Sequence, residues 1–320
     1  MKYAMKEFSG SNADYALRTK LWNAAWPEFA RTEEAHRHDD KTWNEKHFLS
    51  QWFVELEGKT VALAEWLEEY ESEFEGHYFI IPCIPYDENF VSLSEFVLQT
   101  ALADLKSRNA KLLSAFAIED RPKAVKLLED YGFELTQREP RSALDVTTFD
   151  FARYANIENK LTQKGFKIYD LDELKGKYPD WQRRIYDLEW PIVKDMPLPF
   201  PIKREPFEDF QKGLDNPRNL PKGSFYAIDE SNDKWVGLST VRKFGADNEA
   251  VSVGLTGVIP EYRRKGIATA LKVRTVDFAK KYGAKSIRTD NEENNPMYDL
   301  NMQLGFKPQP AIINYRLKLE

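Results

Sequence analysis

Three consecutive cations, Arg263, Arg264 and Lys265, stand directly before Gly266 in the stretch VIPEYRRKGIATALK, residues 258–272. Ile267, Ala268 and Thr269 follow, small or apolar, where a strand pattern hands over to a helix pattern. The first backbone N–H groups of a helix have no intrahelical partner, and the helix dipole is positive there. Such a start is a ready anion site. Glycine lets the backbone approach a phosphate, Ala268 and Thr269 leave room beside it, and the cations add charge-assisted hydrogen bonds. A pyrophosphate fits this arrangement. A solvated polar turn fits it as well, and this segment taken alone leaves both readings open.

The elements that must position these residues are legible around them. GSFYAIDESNDKWVGLSTVRKF (223–244) reads as two strands about a turn-rich loop, and EAVSVGLTGVI (249–259) as a third strand. The helix IATALKVRTVDFAKKYG carries an apolar face of Ala268, Leu271, Val276, Phe278 and Ala279, and Gly283 ends it where a C′ glycine belongs. The strand SIRT, the helix NPMYDLNMQLGF and the strand AIINYRLKL complete the series. Strands alternating with helices imply an α/β, mixed-sheet domain. Gly254 and Gly257 inside the third strand mark a bulge, a close backbone approach, or only relief of crowding.

The pattern is written twice. A shift of 175 residues carries Val61-Ala62-Leu63 onto Val236-Gly237-Leu238 and Ile84-Pro85 onto Ile259-Pro260. Shifts of 174 and 173 carry Asn109-Ala110-Lys111 onto Gly283-Ala284-Lys285 and Gly132-Phe133 onto Gly305-Phe306. Trp26-Pro27 and Trp190-Pro191 correspond with a different offset. Several matches in order indicate a tandem repeat. The boundary is expected near residue 150, after which a polar, helical-looking connector (148–160) leads into the second copy; the domains are then 1–150 and 151–320. Each half is expected to contain a mostly antiparallel sheet flanked by helices and to end in its own last strand.

Composition narrows the class. The 320-residue chain has a formal net charge of −6, which argues against a nucleic-acid binder, and a local cluster of cations stands out against it. Cys83 is the single cysteine, so no disulfide within the chain is possible, and it reads as a small buried hydrophobe. With no signal-peptide pattern and no membrane-length apolar run, a cytoplasmic protein is expected. His36 and His38 stand among acids in EEAHRHDD (33–40), but the spacing matches no zinc pattern, and no metal is expected.

The residues Val258, Pro260, Tyr262, Arg263, Gly266, Ile267 and Ala268 resemble the coenzyme A signature of the GCN5-related N-acetyltransferase (GNAT) superfamily. TDNEENNPMYDLNMQLGF (289–306) is similar to that family's next strand, Asn-rich loop and closing helix. The resemblance covers residues 160–320 directly and the first half through the repeat, so it implies two tandem GNAT-like domains. It implies acetyl-CoA as cosubstrate, its pyrophosphate on Arg263, Arg264, Lys265, Gly266, Ile267, Ala268 and Thr269. The pantetheine arm would lie along Thr256, Gly257 and Val258, with Asn291, Asn294 and Asn295 as further contacts. A backbone N–H near Val258 would polarise the thioester carbonyl. An amine of a small molecule or peptide would then attack directly in a ternary complex.

For the base, Glu249 is the nearest carboxylate in sequence, and Asp247 is a weaker candidate; a water-mediated route would also serve. Many relatives carry a tyrosine as general acid four residues before the Gly of Leu-Gly-Phe. Here that position is Asn301, and Tyr298, three residues earlier on the same helix face, is the substitute. Glu189, Asp195 and Glu205 lie in the Pro- and aromatic-rich segment where acceptor-covering helices are expected, and either attract a cationic amine or are simply solvated.

The 175-residue shift puts Glu88 at the Arg263 position, Val91 at Gly266 and Leu93 at Ala268, so the first half is expected to be a degenerate copy without a coenzyme site. The expected protein is an acetyl-CoA-dependent N-acetyltransferase, monomer or homodimer, with neither nucleic acid nor membrane as partner. The alternatives are a non-catalytic acyl-CoA-binding or sensing protein and an aminoacyl-tRNA-dependent transferase.

Overall fold

The structure, a computed structural model, describes residues 3–246 and 248–319; Asp247 lies outside them. The chain forms two compact units, one made of residues 1–139, 198–204 and 310–320, the other of 140–197 and 205–309.

The first unit holds β1 (Tyr3–Glu7), α1 (Asn12–Ala25), α2 (Glu33–Thr42), β2 (Leu49–Leu56), β3 (Lys59–Glu68), β4 (His77–Cys83), α3 (Phe90–Ser107), β5 (Leu112–Ile118) and α4 (Pro122–Asp130). The strand β6 (Glu134–Asp145) leaves it. The second holds α5 (Ile157–Thr162), β7 (Phe166–Asp170), α6 (Leu171–Lys177), α7 (Trp181–Val193), α8 (Phe207–Leu214), β8 (Phe225–Asp229), β9 (Lys234–Lys243), β10 (Ala250–Val258), α9 (Ile267–Tyr282), β11 (Ser286–Asp290) and α10 (Pro296–Gln303). The strand β12 (Lys307–Lys318) leads back to the first. The connector read as helical contains two short 3₁₀ turns and then α5.

The strands of the two units share one plan. In the first, β1, β2, β3 and β4 pair antiparallel in sequence order, and β4 pairs parallel with β5. In the second, β7, β8, β9 and β10 do the same, and β10 pairs parallel with β11. The last strands differ from expectation. Residues 141–145 of β6 pair antiparallel with β11, and residues 312–318 of β12 pair with β5. Each half of the sequence therefore supplies the closing strand of the other half's sheet. Strand periodicity fixes which face a residue takes, not which edge it joins, so the pattern could not reveal the exchange.

Local sequence accounts for the element ends. Ser11 and Thr32 cap α1 and α2 by accepting from Asp14 and Ala35 amides. Asp170 and Glu173 form a reciprocal capping box at α6. Gly283 ends α9 with φ 89°, a left-handed conformation that glycine takes without strain. Val236, Leu238, Ala270 and Leu271 lie in one core of the second unit, and Val251, Val276, Ala279 and Ile287 in another.

Candidate active site

The feature that organises the second unit is a bulge in β10. Val253 pairs with Val241 and Thr256 with Ser239, so Gly254 and Leu255 together face the single residue Thr240. The Leu255 amide donates to Thr240 Oγ1 at 2.8 Å, which holds the bulge. On the other side, β10 pairs with β11 only from Ala250 to Ser252. Beyond Ser252 the two strands part, and that edge of β10 has no ladder partner in β11. Unpaired strand edges are templates for an extended ligand.

This edge leads to the start of α9. Gly266 is its N-cap at φ 89°, with no side-chain cap and open space where a Cβ would stand. The first amide to bond back is that of Ala270, to Gly266 O at 3.1 Å, so those of Ile267, Ala268 and Thr269 are left for a ligand or water. Arg264 is itself left-handed at φ 61°. Arg264 and Lys265 are exposed, and Lys265 Nζ lies 4.5 Å from the Tyr262 ring centroid. Arg263 is engaged within the unit: Nε donates to Val258 O at 2.9 Å, and Nη1 pairs with Asp195 at 2.5 Å.

The α10 side is a polar lining. Asn301, fully buried, donates from Nδ2 to Asn291 Oδ1 at 2.6 Å, while its own Oδ1 is buried without a partner. An unionisable, buried amide cannot act as the general acid; its visible action is to orient Asn291. Asn295 caps α10 by accepting from the Met297 amide, and Asn294 is tied to Glu292. Tyr298 is half-buried, and its hydroxyl makes no hydrogen bond among the described residues. Lys272, on α9, is only 2% exposed, with Nζ 5.5 Å from the Phe306 ring centroid. Burial pushes its ammonium down to about 7, against the opposing pull of Asp290 at the end of β11. The Asp290 carboxyl is pushed up by desolvation, although Arg141 and Lys272 oppose that.

On the opposite face α7 lies close. A Cβ at Gly257 would stand 2.2 Å from Ile192 Cγ2, so the absent side chain of this glycine makes room for the helix on that face. At Gly254 a Cβ would meet Thr240 Oγ1 at 2.6 Å and Arg242 Nε at 3.4 Å. Glu189 stands on the same side of α7, three residues before Ile192. Its carboxyl is pushed up to about 7 by burial and the charge of Glu205, with Arg242 opposing. Tyr226, on β8, is raised by burial and by Glu189. Glu249 is not in this group. It precedes β10 at the end away from Gly266, its carboxylate 2.5 Å from Lys285 Nζ and exposed. Proximity in sequence suggested it; the strand's direction carries it away.

The first unit has the same handover without the same equipment. Its loop from β4 to α3 is two residues shorter than that from β10 to α9, so matching the helix starts requires a shift of 177 rather than 175. Asn89, not Val91, then takes the place of Gly266, and Glu88 that of Lys265. Asp87 closes the turn, accepting the Asn89 amide on Oδ1 and the Phe90 amide on its backbone oxygen. Leu93 is buried in the core rather than standing in the turn. β4 and β5 also stop pairing, after Phe79 and Ser114, but rings pack beside that point: Phe116 lies 4.7 Å from Trp26 and 5.8 Å from Phe29.

Lys272 was missed in the sequence, although it lies four residues from both Ala268 and Val276. A cation on an apolar stripe was the available signal. Among the described residues no group of three or more His, Cys, Asp or Glu could hold a metal, and no helix is long and apolar enough to cross a membrane.

Comparison with known proteins agrees with this geometry. The family described as Acetyltransferase (GNAT) matches residues 183–306. No curated protein sequence matches the chain. Among solved structures, a tandem GNAT protein from the clavulanic acid biosynthesis pathway, solved without acetyl-CoA, is similar with TM-score 0.75 and 13% identity, over 99% of this chain and 98% of that one. A GCN5-related N-acetyltransferase from Sphaerobacter thermophilus is similar with TM-score 0.69 and 14% identity, over 99% and 95%. The glucosamine N-acetyltransferase region of a fungal multi-domain β-N-acetylglucosaminidase gives TM-score 0.70 and 10% identity, over 99% of this chain and 38% of that one.

Proposed function

We propose that the chain transfers an acetyl group from acetyl-CoA to a primary amine through its second unit, on the match of residues 183–306 to the GNAT acetyltransferase family and the likeness of the fold to tandem GNAT proteins. The observation that carries this is the free edge of β10 beyond its bulge, running to the uncapped start of α9.

Acetyl-CoA supplies an activated acyl carbonyl. The amides of Ile267, Ala268 and Thr269, with Arg264 and Lys265, hold the pyrophosphate, and Gly266 leaves it room. Arg263, tied to Val258 and Asp195, shapes the loop. The open edge along Thr256, Gly257 and Val258 takes the pantetheine amides, and an N–H there polarises the carbonyl. Asn291, oriented by Asn301, contacts the arm from the β11 side. Tyr298 protonates the departing thiolate. The acceptor is a small molecule or peptide amine, bound with acetyl-CoA in one ternary complex without a metal. The first unit has a structural role and no cofactor, and a cytoplasmic location suits the chain's thiol usage.

Calorimetry with acetyl-CoA tests the proposal. Wild type binds, and Gly266→Glu weakens binding at least a hundredfold, because a carboxylate and a Cβ enter the anion position; an equal affinity would refute it. The second reading, a non-catalytic acyl-CoA sensor, is favoured by one observation, the buried Asn301 where a tyrosine acid is usual. It predicts the same binding without thiol release for any amine.

A further inference from the structure

The proton on the acceptor amine needs a base, and the strand residue nearest in sequence, Glu249, points elsewhere. We propose that Glu189 on α7 is the catalytic base, receiving a cationic primary amine between α7 and the bulge of β10. This rests on the acyl-transfer reading above.

The register of the sheet argues it. Ser239 bonds Thr275 of α9 and Thr256, so the odd positions 239 and 241 of β9 face α9. Thr240 and Arg242 therefore face the other way, toward α7. Gly254 opens on that same side, against Thr240 and Arg242, as does Gly257, against Ile192. Before the bulge, Val251 and Val253 pair with Lys243 and Val241, and Val251 and Val241 lie in the core that includes Val273 and Val276 of α9. Glu249, two residues before Val251, belongs to that face and is paired with Lys285. An amine attacking from the α7 side meets Glu189 and not Glu249.

The surroundings suit the task. Glu189 is half-buried, so it is reachable by solvent. The charged and titratable groups facing it are Arg242 from β9, Tyr226 from β8 and Glu205 ahead of α8. Burial and Glu205 raise the carboxyl to about 7, while Arg242 draws it down. A base poised there accepts a proton from an ammonium at neutral pH far better than an ordinary carboxylate. Two acids beside one arginine also leave net negative charge for an ammonium substrate. In the step, one proton passes from the ammonium to Glu189, the nitrogen forms its bond to the acyl carbon as the carbon–sulfur bond breaks, and the second nitrogen proton is released as the departing thiolate takes one from Tyr298, which it restores.

The matching place in the first unit supports the assignment. Aligning Trp26-Pro27 with Trp190-Pro191 puts Ala25, 2% exposed, where Glu189 stands. The half without the anion site also lacks the carboxyl.

The test compares wild type and Glu189→Gln in thiol release from acetyl-CoA with spermidine, glucosamine, 2-phenylethylamine and a dipeptide, from pH 5.5 to 9. For any amine turned over, the variant is expected to lose about a hundredfold or more in kcat/KM. It should also lose the acid limb near pH 7, with acetyl-CoA affinity within twofold of wild type. Activity within threefold of wild type with the limb unchanged overturns the proposal. If no amine in the panel is turned over, carbon NMR of glutamate-labelled protein decides it. A carboxyl signal titrating near pH 7, absent from Glu189→Gln and shifted by acetyl-CoA, supports the assignment; titration in the usual carboxylate range overturns it. A wild type that does not bind acetyl-CoA refutes the function itself, whereas binding with an unaffected variant refutes this base alone.

Discussion

The loops into α3 and α9 solve the same folding problem with opposite surface chemistry. Both leave a strand at the parting of a parallel pair, run through Ile-Pro, and start a long helix. In the first unit the loop is two residues shorter, Asp87 takes up the amides of Asn89 and Phe90, and rings pack beside the parting. In the second, the helix start is uncapped, exposed cations precede it, and the strand edge is open. The fold therefore requires neither Gly266 nor the cations. Their presence in one copy only is the strongest argument that they serve a ligand.

The difference continues around the unit. The backbone bond from Phe306 N to Asn301 O has its counterpart from Phe133 N to Leu128 O. A buried leucine thus replaces the buried asparagine that orients Asn291. At the position of Lys272 the first unit carries Glu95, which is exposed. Polar groups are buried at appreciable cost unless partnered, and at these two positions it is the second unit that sustains that cost.

The comparison fails most visibly if each half is independent. Residues 151–320 alone lack the part of β6 that pairs with β11, and their β12 has no β5 to join. That fragment is expected to be insoluble or unfolded by circular dichroism, and co-expression with residues 1–150 to recover a soluble pair. Native-like folding of the lone fragment would break the exchange. Next, calorimetry on the full chain is expected to give one acetyl-CoA per chain. Asn89→Gly should leave that at one, because Asp87 still closes the turn; a second site would erase the contrast between the units.

A smaller effect tests the approach of α7. Gly257→Ala places a Cβ against Ile192 and is expected to cost about 1–3 kcal/mol in chemical denaturation, as overpacking does. Ile192→Ala in the same chain should restore part of it, and no coupling between the two would refute the contact. The smallest effect concerns Lys272. Its pKa is lowered from 10.5 to about 7 on folding, so between those values the unfolded chain binds more protons, and stability rises with pH. Below about 7 the penalty is fully present. Lys272→Met should therefore stabilise the protein more at pH 6 than at pH 9, and melting curves that move equally at both would contradict the burial.

The repeat, the strand and helix order, the C′ glycine Gly283 and a helix start at Gly266 with three cations before it were legible in the residues alone. These follow from local rules: hydrophobic period, glycine conformation and the unpaired amides of a helix start. The fold alone showed which half supplies which last strand, because pairing partners leave no local mark. It also decided that Gly257 admits Ile192, that Glu249 faces away, that Asn301 is inside, and that Arg242, Glu205 and Tyr226 surround Glu189. Each depends on the direction of a strand or the approach of a helix distant in sequence.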